Sequence, residues 1–291
     1  MEDTELKSLL EKHMYYEYLQ LPERLSERLG LQNISDYKGV LPRYRLIRSF
    51  IWERPLKKVV NIGGNCGFFS LSLLDEDLIE EAVIYDIKPD ILELGRKIAR
   101  AMGLEDRCSF VEKSIDLAAL DELPSTDGVI YQNVLHHAGD YFDKDLVAEI
   151  GWEKYAERFL KKLRAKYAYG ILGMGFKWNK PKLWDVDKEK RRFIFRNLLE
   201  KSGWEIISDA NVYSLMIDGG ELDYRRFNSQ QDTYDFKKSD LASLWDLVSF
   251  NIIKRAGIFL GSRQTSMRDI SPAVAQMGQE IAKMYHIYLM E

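Results

Sequence analysis

The sequence predicts an α/β fold whose core is a mostly parallel sheet with helices on both faces. The first observation is the segment 58–74, in which an apolar strand, a glycine-rich turn and an apolar helical run follow one another. The second is that further apolar, strand-like segments alternate with segments of helical periodicity along residues 82–176. This alternation is typical of parallel strands that are connected by crossover helices.

The glycine-rich turn reads Gly-Gly-Asn-Cys-Gly at residues 63–67. Glycines let the backbone approach a ligand closely, and the helix that follows offers unpaired N–H groups at its start. The dinucleotide fingerprint needs glycine at its first, third and sixth positions, but Asn65 and Phe68 occupy the last two of these. A phosphate-binding P-loop needs a lysine that this turn lacks. The spacing therefore excludes both of these nucleotide sites.

Polar side chains follow each of the next three predicted strands. Asp86 ends the second strand, where a carboxylate accepts hydrogen bonds from ribose hydroxyls. Ser114 and Ile115 follow the third strand at 108–111, and Gln132 and Asn133 follow the fourth strand, which begins near residue 128. Because ligands bind at the carboxyl ends of parallel strands, these residues are expected to meet at one crevice.

Taken together, these motifs resemble those of the class I S-adenosylmethionine (SAM)-dependent methyltransferases. The first motif of that family, acid-x-Gly-x-Gly-x-Gly, is matched as Asn61-x-Gly63-x-Asn65-x-Gly67, with asparagine in place of the acid and of one glycine. The resemblance covers about residues 55–180 and is greatest to a bacterial subgroup that includes glycan O-methyltransferases and wobble-uridine tRNA methyltransferase-like proteins. It implies a Rossmann-like fold with a seven-stranded, mostly parallel sheet, and SAM as the cofactor.

The resemblance also implies which residues bind the cofactor. They are Asn61, Gly63, Gly64, Asn65, Gly67, Phe68, Asp86, Ile87, Ser114, Ile115, Gln132 and Asn133. In the family the acid of the first motif helps to hold the cationic methionine end, so Asn61 implies weaker cofactor binding. The turn after the third strand flanks the adenine, with Ser114 or alternatively Asp116 as its polar partner. Gln132 and Asn133 are expected near the transferable methyl group.

Transfer of a methyl group to an oxygen or nitrogen of high pKa benefits from a general base, and histidine is the natural candidate. His136 and His137 follow the fourth strand, and His137 is marginally favoured as the base or as a residue that orients the acceptor. The Leu-His-His sequence of the family also has a structural role in this turn. Asp140 and Asp143 are alternatives, either as the base or as partners that orient a histidine.

The chain divides into an N-terminal helical cap at residues 1–54 and a SAM-binding domain at residues 55–291. A last, antiparallel strand is expected at 285–289 or, as an alternative, at 258–260. Either choice leaves a long connection after the sixth strand, and a helical insertion is predicted at about 215–282. Connections of this length are usually functional, and the insertion is expected to build part of the acceptor pocket. Lys177 and Trp178, after the fifth strand, are expected substrate contacts.

Composition and charge restrict the class of protein. The chain has 291 residues and a formal net charge of −4, which fits one large α/β domain with additions. No apolar segment is long enough to span a membrane, and the first residues do not resemble a secretory signal. Cys66 and Cys108 cannot form a disulfide framework, so a cytoplasmic location is predicted. The four histidines and two cysteines show no metal-ligand spacing, and no metal is expected.

Three functions remain open at this stage. A methyltransferase acting on an oxygen of a small molecule or glycan fits the negative net charge and the aromatic-rich insertion. An RNA methyltransferase is the first alternative, because basic residues cluster at 158–166 and 188–196. A SAM-binding pseudoenzyme that serves as an interaction module is the second alternative, and Asn61 is the residue that motivates it.

Overall fold

The computed structural model describes residues 3–17, 20–31, 40–175, 188–215, 222–226 and 285–290. Three helices precede the first strand, namely α1 (Asp3–Glu17), α2 (Glu23–Leu29) and α3 (Val40–Glu53). The strands are β1 (Lys58–Ile62), β2 (Glu81–Asp86), β3 (Cys108–Glu112), β4 (Gly128–Gln132), β5 (Tyr169–Gly175), β6 (Ile206–Leu215), β7 (Leu222–Arg226) and β8 (Tyr285–Met290). The remaining α-helices are α4 (Phe68–Asp75), α5 (Pro89–Met102), α6 (Lys144–Ile150), α7 (Trp152–Lys166) and α8 (Lys188–Lys201). Two short 3₁₀ helices lie at Ala119–Glu122 and Leu135–His137.

The strands form one sheet in the order β3-β2-β1-β4-β5-β8-β6-β7. The pairs that join the first five strands are parallel, in the order 3-2-1-4-5 of a Rossmann-like fold. Strand β8 is antiparallel to both β5 and β6, and β7 is antiparallel to β6. The α/β class and the Rossmann-like order are therefore confirmed.

The predicted number of seven strands is wrong, because the described residues alone form a sheet of eight. The additional strand is β7, which follows β6 closely in the chain and pairs with it at the edge of the sheet. The predicted last strand at 285–289 is present as β8. Strand β6 begins at Ile206, and the Trp204 side chain just before it is buried and donates a hydrogen bond from Nε1 to the Leu160 carbonyl.

Alternate residues of the central strands face two hydrophobic clusters. Val59, Ile84 and Ile130 pack with residues of α1 to α5 on one face. On the opposite face, Val60 and Tyr131 pack with residues of α7 and α8. Successive side chains of a strand point to opposite faces of the sheet. Because helices cover both faces here, the side chains on both faces are apolar.

The chain order reverses between β1 and β4, which lie side by side although β2 and β3 separate them in sequence. In register, Ile62 of β1 is opposite Tyr131 of β4. At such a switch point the loops after the two strands diverge to opposite faces and leave a crevice at the carboxyl edge. The fold therefore places the loops after β1, β2, β3 and β4 around one possible site.

Several predictions fall outside the described residues. They are Lys177 and Trp178, the alternative strand at 258–260, and the predicted insertion apart from β7 and the end of β6. The boundary between cap and domain at residues 54 and 55 stays a prediction. In the part of the chain that the structure describes, no helix combines the length and apolar character needed to cross a bilayer.

Candidate functional site

A cavity of about 200 Å³ opens at the carboxyl edge of the sheet, at the switch point between β1 and β4. Its walls come from the loops after four parallel strands. The lining residues are Ile62, Gly63, Asp86, Ile87, Lys88, Lys113, Ser114, Ile115, Gln132, Asn133, Val134, His137, Tyr141 and Phe142. The cavity thus brings together eight of the residues that the sequence singles out, from segments far apart in the chain.

Gly63 begins the turn after β1 at a position that only glycine fits well. Its φ is +68°, and a Cβ placed there would lie 2.2 Å from Cγ2 of Val134. The turn is then closed by backbone hydrogen bonds, from Gly64 N to Tyr85 O at 3.0 Å and from Gly67 N to Gly64 O at 2.9 Å. The backbone of Gly63 therefore forms a wall of the cavity at close range to the loop after β4.

Asp86 ties the loop after β2 to the glycine-rich turn. Its Oδ2 accepts a hydrogen bond from Asn65 N at 2.9 Å, and its Oδ1 accepts hydrogen bonds from Ile87 N at 2.8 Å and Lys88 N at 3.2 Å. Asn65 adopts a φ of +54°, a left-handed conformation that asparagine tolerates well. Because each carboxylate oxygen has more than one lone pair, Asp86 keeps capacity for ligand hydroxyls on the cavity side.

The side chain of Asn61 does not line the cavity. It is only 1% exposed, and its Nδ2 donates a hydrogen bond to Ser70 Oγ at 3.0 Å. A Cβ on Gly64 would lie 2.9 Å from the amide carbon of Asn61, so this amide lies beneath the turn. The structure therefore gives Asn61 a packing role below the turn, because its side chain points toward α4 instead of the strand ends.

Four other expected cofactor residues also lie outside the cavity lining. Gly64, Asn65 and Gly67 shape the turn through the backbone bonds described above, and Gly67 adopts a φ of +87° before α4. Phe68 begins α4, is 8% exposed, and packs edge-on against Tyr44 of α3 with ring centroids 5.7 Å apart. These residues support the walls of the site and do not form them.

Apolar and small polar groups lie at the β2–β3 end of the cavity. Ile87 is 52% exposed at the tip of β2, whereas Ile115 is buried. Ser114 lines the cavity beside Ile115, as the sequence predicts. Asp116, the alternative polar partner, instead accepts a hydrogen bond from Ala119 N at 2.7 Å and caps the 3₁₀ helix Ala119–Glu122. A flat apolar ring with a polar edge fits such a pocket.

The two neighbouring histidines have different surroundings. His136 is buried outside the cavity lining, and burial, followed by the effect of His137, lowers its pKa to about 3. His137 lines the cavity, and its ring stacks on that of Tyr141 with centroids 4.8 Å apart. Partial burial also lowers the pKa of His137. A neutral imidazole at neutral pH is the form that accepts a proton, and His137 is the histidine that a ligand in the cavity can reach.

Asp143 does not serve as a partner of either histidine. It adopts a φ of +51°, and its Oδ2 accepts hydrogen bonds from Leu117 N at 2.8 Å and from Tyr155 Oη at 2.6 Å. Burial and the hydrogen bond to Asp143 raise the pKa of Tyr155. The carboxylate is thus engaged in tying the segment after β3 to the loop after β4, which excludes Asp143 as the expected orienting residue.

Asn133 shows an unusual combination of backbone and side-chain features. Its φ is +58°, and its backbone N–H donates a hydrogen bond to Gly173 O at 2.8 Å. Its Oδ1 is buried and has no hydrogen-bond partner among the described residues. A buried polar atom without a partner is costly, and this one belongs to a side chain that lines the cavity. It is therefore an available acceptor for a donor group of a ligand.

Some cavity residues were not predicted as site residues. Lys88 and Lys113 lie on either side of the β2–β3 end, where Lys113 forms an ion pair with Glu122. Tyr141 and Phe142 belong to the loop after the histidines, and Tyr141 is 61% exposed. A tyrosine that follows two histidines closely in the chain was the available signal in the sequence. No group of three or more potential metal ligands occurs within the described ranges.

A larger cleft of about 760 Å³ lies between α2, α3 and α4, away from the strand ends. Two of its arginines are paired with acids, Arg24 with Asp75 at 3.1 Å and Arg48 with Glu76. Size alone does not identify a site, and the smaller cavity holds the residues that the topology brings together. We therefore assign the candidate site to the cavity at the switch point.

No protein-family model matches the chain, and no curated protein matches it. Many of the solved structures that resemble it are SAM-dependent methyltransferases. One is a proposed O-methyltransferase from Nostoc punctiforme, with 20% identity over 58% of this chain and 52% of the other and a TM-score of 0.40. A second is a SAM-dependent methyltransferase from Thiobacillus denitrificans in complex with S-adenosyl-L-homocysteine, with 11% identity, coverage of 94% and 99%, and a TM-score of 0.47.

A third is N,N-8-amino-8-demethyl-D-riboflavin dimethyltransferase from Streptomyces davawensis, with 17% identity over 59% of this chain and 50% of the other and a TM-score of 0.40. The chain thus spans about half the length of the first and the third of these proteins. At these identities and TM-scores the likeness identifies neither a family nor an activity. The observed strand order establishes the fold, and the cavity at the switch point is the candidate site.

Proposed function

We propose that this protein is a SAM-dependent methyltransferase that transfers a methyl group to an oxygen of a small molecule or glycan. The observation that carries the proposal is the convergence at one cavity of Gly63, Asp86, Ser114, Gln132 and His137. They come from four different strand ends, and each has the chemistry that the methyltransferase pattern requires at that place.

The residues present fit the cofactor. Gly63 presents bare backbone to the cavity, and the Asp86 carboxylate lies where a ribose is expected. Ile87, Ser114 and Ile115 offer an apolar slot with a polar edge for the adenine. SAM, when bound, would supply a methyl group that is activated by a sulfonium.

The chain itself must orient the acceptor and, where needed, remove its proton. His137 is proposed as the base, because it lines the cavity and because burial keeps it neutral at neutral pH. Tyr141 stacks on its ring and restricts its orientation. The half-exposed aromatic residues at this end suit an acceptor with a flat or sugar-like face.

An RNA substrate has less support. In the first basic run, on α7, Lys161 is paired with Glu157 and Lys162 with Asp121, while Lys166 donates to the carbonyls of Leu120 and Asp121. These lysines are engaged in ion pairs and hydrogen bonds with other residues of the chain. They therefore do not form a basic surface that is available to phosphates. In the second run, Arg196 is paired with Glu200. If RNA were the substrate, tRNA affinity would fall steeply as salt rises.

The pseudoenzyme alternative loses its motivation. It depends on the loss of an acid at position 61, yet the Asn61 side chain bonds to Ser70 beneath the turn and does not line the cavity. The neutral residue at this position therefore removes no charge from the cavity wall. Catalysis and cofactor binding can both be tested without reference to it.

The proposal is tested by calorimetric titration with SAM and with S-adenosylhomocysteine. Micromolar binding of both is expected and would justify a screen of sugars, phenols and tRNA as acceptors. With an acceptor in hand, His137→Ala should abolish turnover and leave SAM affinity intact. If neither SAM nor S-adenosylhomocysteine bound, the proposed function would be refuted.

A further inference from the structure

A buried arginine of the N-terminal helical layer contacts a residue that lines the cavity. Arg43 of α3 is only 4% exposed, and its Nη1 lies 3.4 Å from Oε1 of Gln132 at the end of β4. Its guanidinium also lies over the ring of Phe69, 5.8 Å from the centroid. Arg43 does not line the cavity, and Gln132 is a lining residue that its guanidinium contacts.

The second end of the Gln132 amide is also engaged. Its Nε2 donates a hydrogen bond to the carbonyl oxygen of Ile171 at 3.1 Å. A guanidinium can only donate, and a backbone carbonyl can only accept. The reversed amide would place donor against donor and acceptor against acceptor, so the two partners together select one orientation.

The amide of Gln132 lies directly against the backbone of β5. A Cβ on Gly173 would lie 2.1 Å from Oε1 of Gln132, which is far too close for two non-bonded atoms. The glycine at 173 therefore provides the space that the amide occupies. The Gln132 side chain is 8% exposed, and it is held by β5 on one side and by α3 on the other.

We propose that Arg43 is a positioning residue that holds the Gln132 amide with an N–H presented to an oxygen atom of the bound ligand. The inference rests on the proposed function, since it concerns the same cavity. After the bond to Ile171, Nε2 retains one N–H, and the nearby guanidinium polarises the amide so that this N–H is a stronger donor. The Gln132 position of the cavity therefore favours a ligand atom with an oxygen lone pair over one that presents an N–H.

The experiment follows the side-chain amide of Gln132 by NMR in protein labelled with ¹⁵N-glutamine, its signals identified by their loss in Gln132→Met. In Arg43→Met the signals should move and their hydrogen exchange should accelerate at least about tenfold, because an amide that is no longer held at Oε1 leaves its Nε2 bond to Ile171 O more often. Arg43→Lys, which keeps a cationic donor, should restore part of the protection. Arg45→Met, an exposed arginine on the same helix, is the matched control and should change neither quantity.

Gly173→Ala is an independent perturbation of the same amide. It displaces Gln132 and leaves Arg43 in place, so it should reproduce the altered amide signals of Arg43→Met. Its melting temperature should still report a folded protein. Addition of S-adenosylhomocysteine should move the wild-type Gln132 signals, and should move them less in Arg43→Met.

The proposal would be overturned if neither Arg43→Met nor Gly173→Ala changed the NMR signals of the Gln132 side-chain amide. It would also be overturned by wild-type signals that S-adenosylhomocysteine leaves unmoved while calorimetry shows that it binds. Failure of the compound to bind at all would instead refute the proposed function, and the comparison of ligand-free variants would still decide whether Arg43 positions Gln132.

Discussion

The two sides of the cavity are built in different ways. On the β1–β2 side, the Asp86 carboxylate accepts a hydrogen bond from Asn65 N, and backbone hydrogen bonds close the turn after Gly63. On the β4 side, Asn133 keeps a buried oxygen without a partner among the described residues, and His137 faces the cavity with a lowered pKa. The difference indicates a preformed side that suits a constant part of a ligand, and a side with reactive polar groups that suits the transformed part.

The largest expected effect concerns the contact between the two sides, at Gly63. Gly63→Ala should lower the free energy of unfolding by about 2–4 kcal/mol and abolish S-adenosylhomocysteine binding, because it adds backbone strain and an overlap with Val134. Gly103→Ala is the matched control, since Gly103 has a φ of +70° with no atom within 4 Å of an added Cβ. It should cost only the strain, about 1–2 kcal/mol. Urea denaturation and calorimetry measure both, and equal losses would contradict the close contact at Gly63.

The next effect concerns the preformed side alone. Asp86→Ala should weaken S-adenosylhomocysteine binding at least about tenfold, because ribose hydrogen bonds to a carboxylate contribute about 1.5–3 kcal/mol. It should also lower the melting temperature, since Asn65 N loses its acceptor. Asp90→Ala, an exposed acid in the first turn of α5, is the control and should leave affinity unchanged. Unchanged affinity in Asp86→Ala would remove this residue from the ribose site.

The pH dependence of stability tests the burial of His136, the neighbour of His137 on the other side. The pKa of His136 is about 3 in the folded protein, below the unfolded value near 6.5. Between these values the unfolded state binds more protons, so stability falls as pH falls, by up to about 1.4 kcal/mol per pH unit. His136→Gln should therefore lose about 2 kcal/mol less than the wild type between pH 6.5 and pH 5 in urea unfolding. Parallel pH profiles of the two proteins would contradict the burial of a neutral His136.

The smallest effect is expected at Asn61. Asn61→Asp restores the acid of the methyltransferase motif, yet affinity for S-adenosylhomocysteine should change by less than about threefold, because the side chain does not line the cavity. Stability should fall, since a buried carboxylate replaces an amide beside Ser70. A large gain in affinity on calorimetry would show that this residue reaches the ligand and that the preformed side lacks a charge.

Sequence reasoning could predict which residues meet at the cavity where their position follows from the end of a strand. Asp86, Ser114 and Gln132 each follow an apolar strand, and parallel topology alone brings such positions together. It failed for Asn61, because spacing within a motif does not state whether a side chain points up to the strand ends or down to the following helix. It also missed the additional strand β7, whose short alternating segment carries no signal that separates an edge strand from a loop.

Other features depend on distant partners and could not be read from local pattern. Arg43 and Gln132 lie 89 residues apart, and only the packing of α3 against the sheet joins them. Asp143 was one of two alternatives for the base or for a partner that orients a histidine. It instead accepts a hydrogen bond from Tyr155 of the following helix. In both cases the sequence identifies the chemical group, and the fold determines its partner.

The position of β8 has a consequence for synthesis of the protein. Residues 285–290 fill the place between β5 and β6, strands that leave the ribosome far earlier. Until those residues emerge, β5 and β6 each present an unpaired edge, which is a template for association with other chains. Closing this gap also requires pairing between residues far apart in the sequence, which slows folding. The nascent chain therefore completes its sheet late, and its yield in cells should depend on chaperones that shield these two edges during translation.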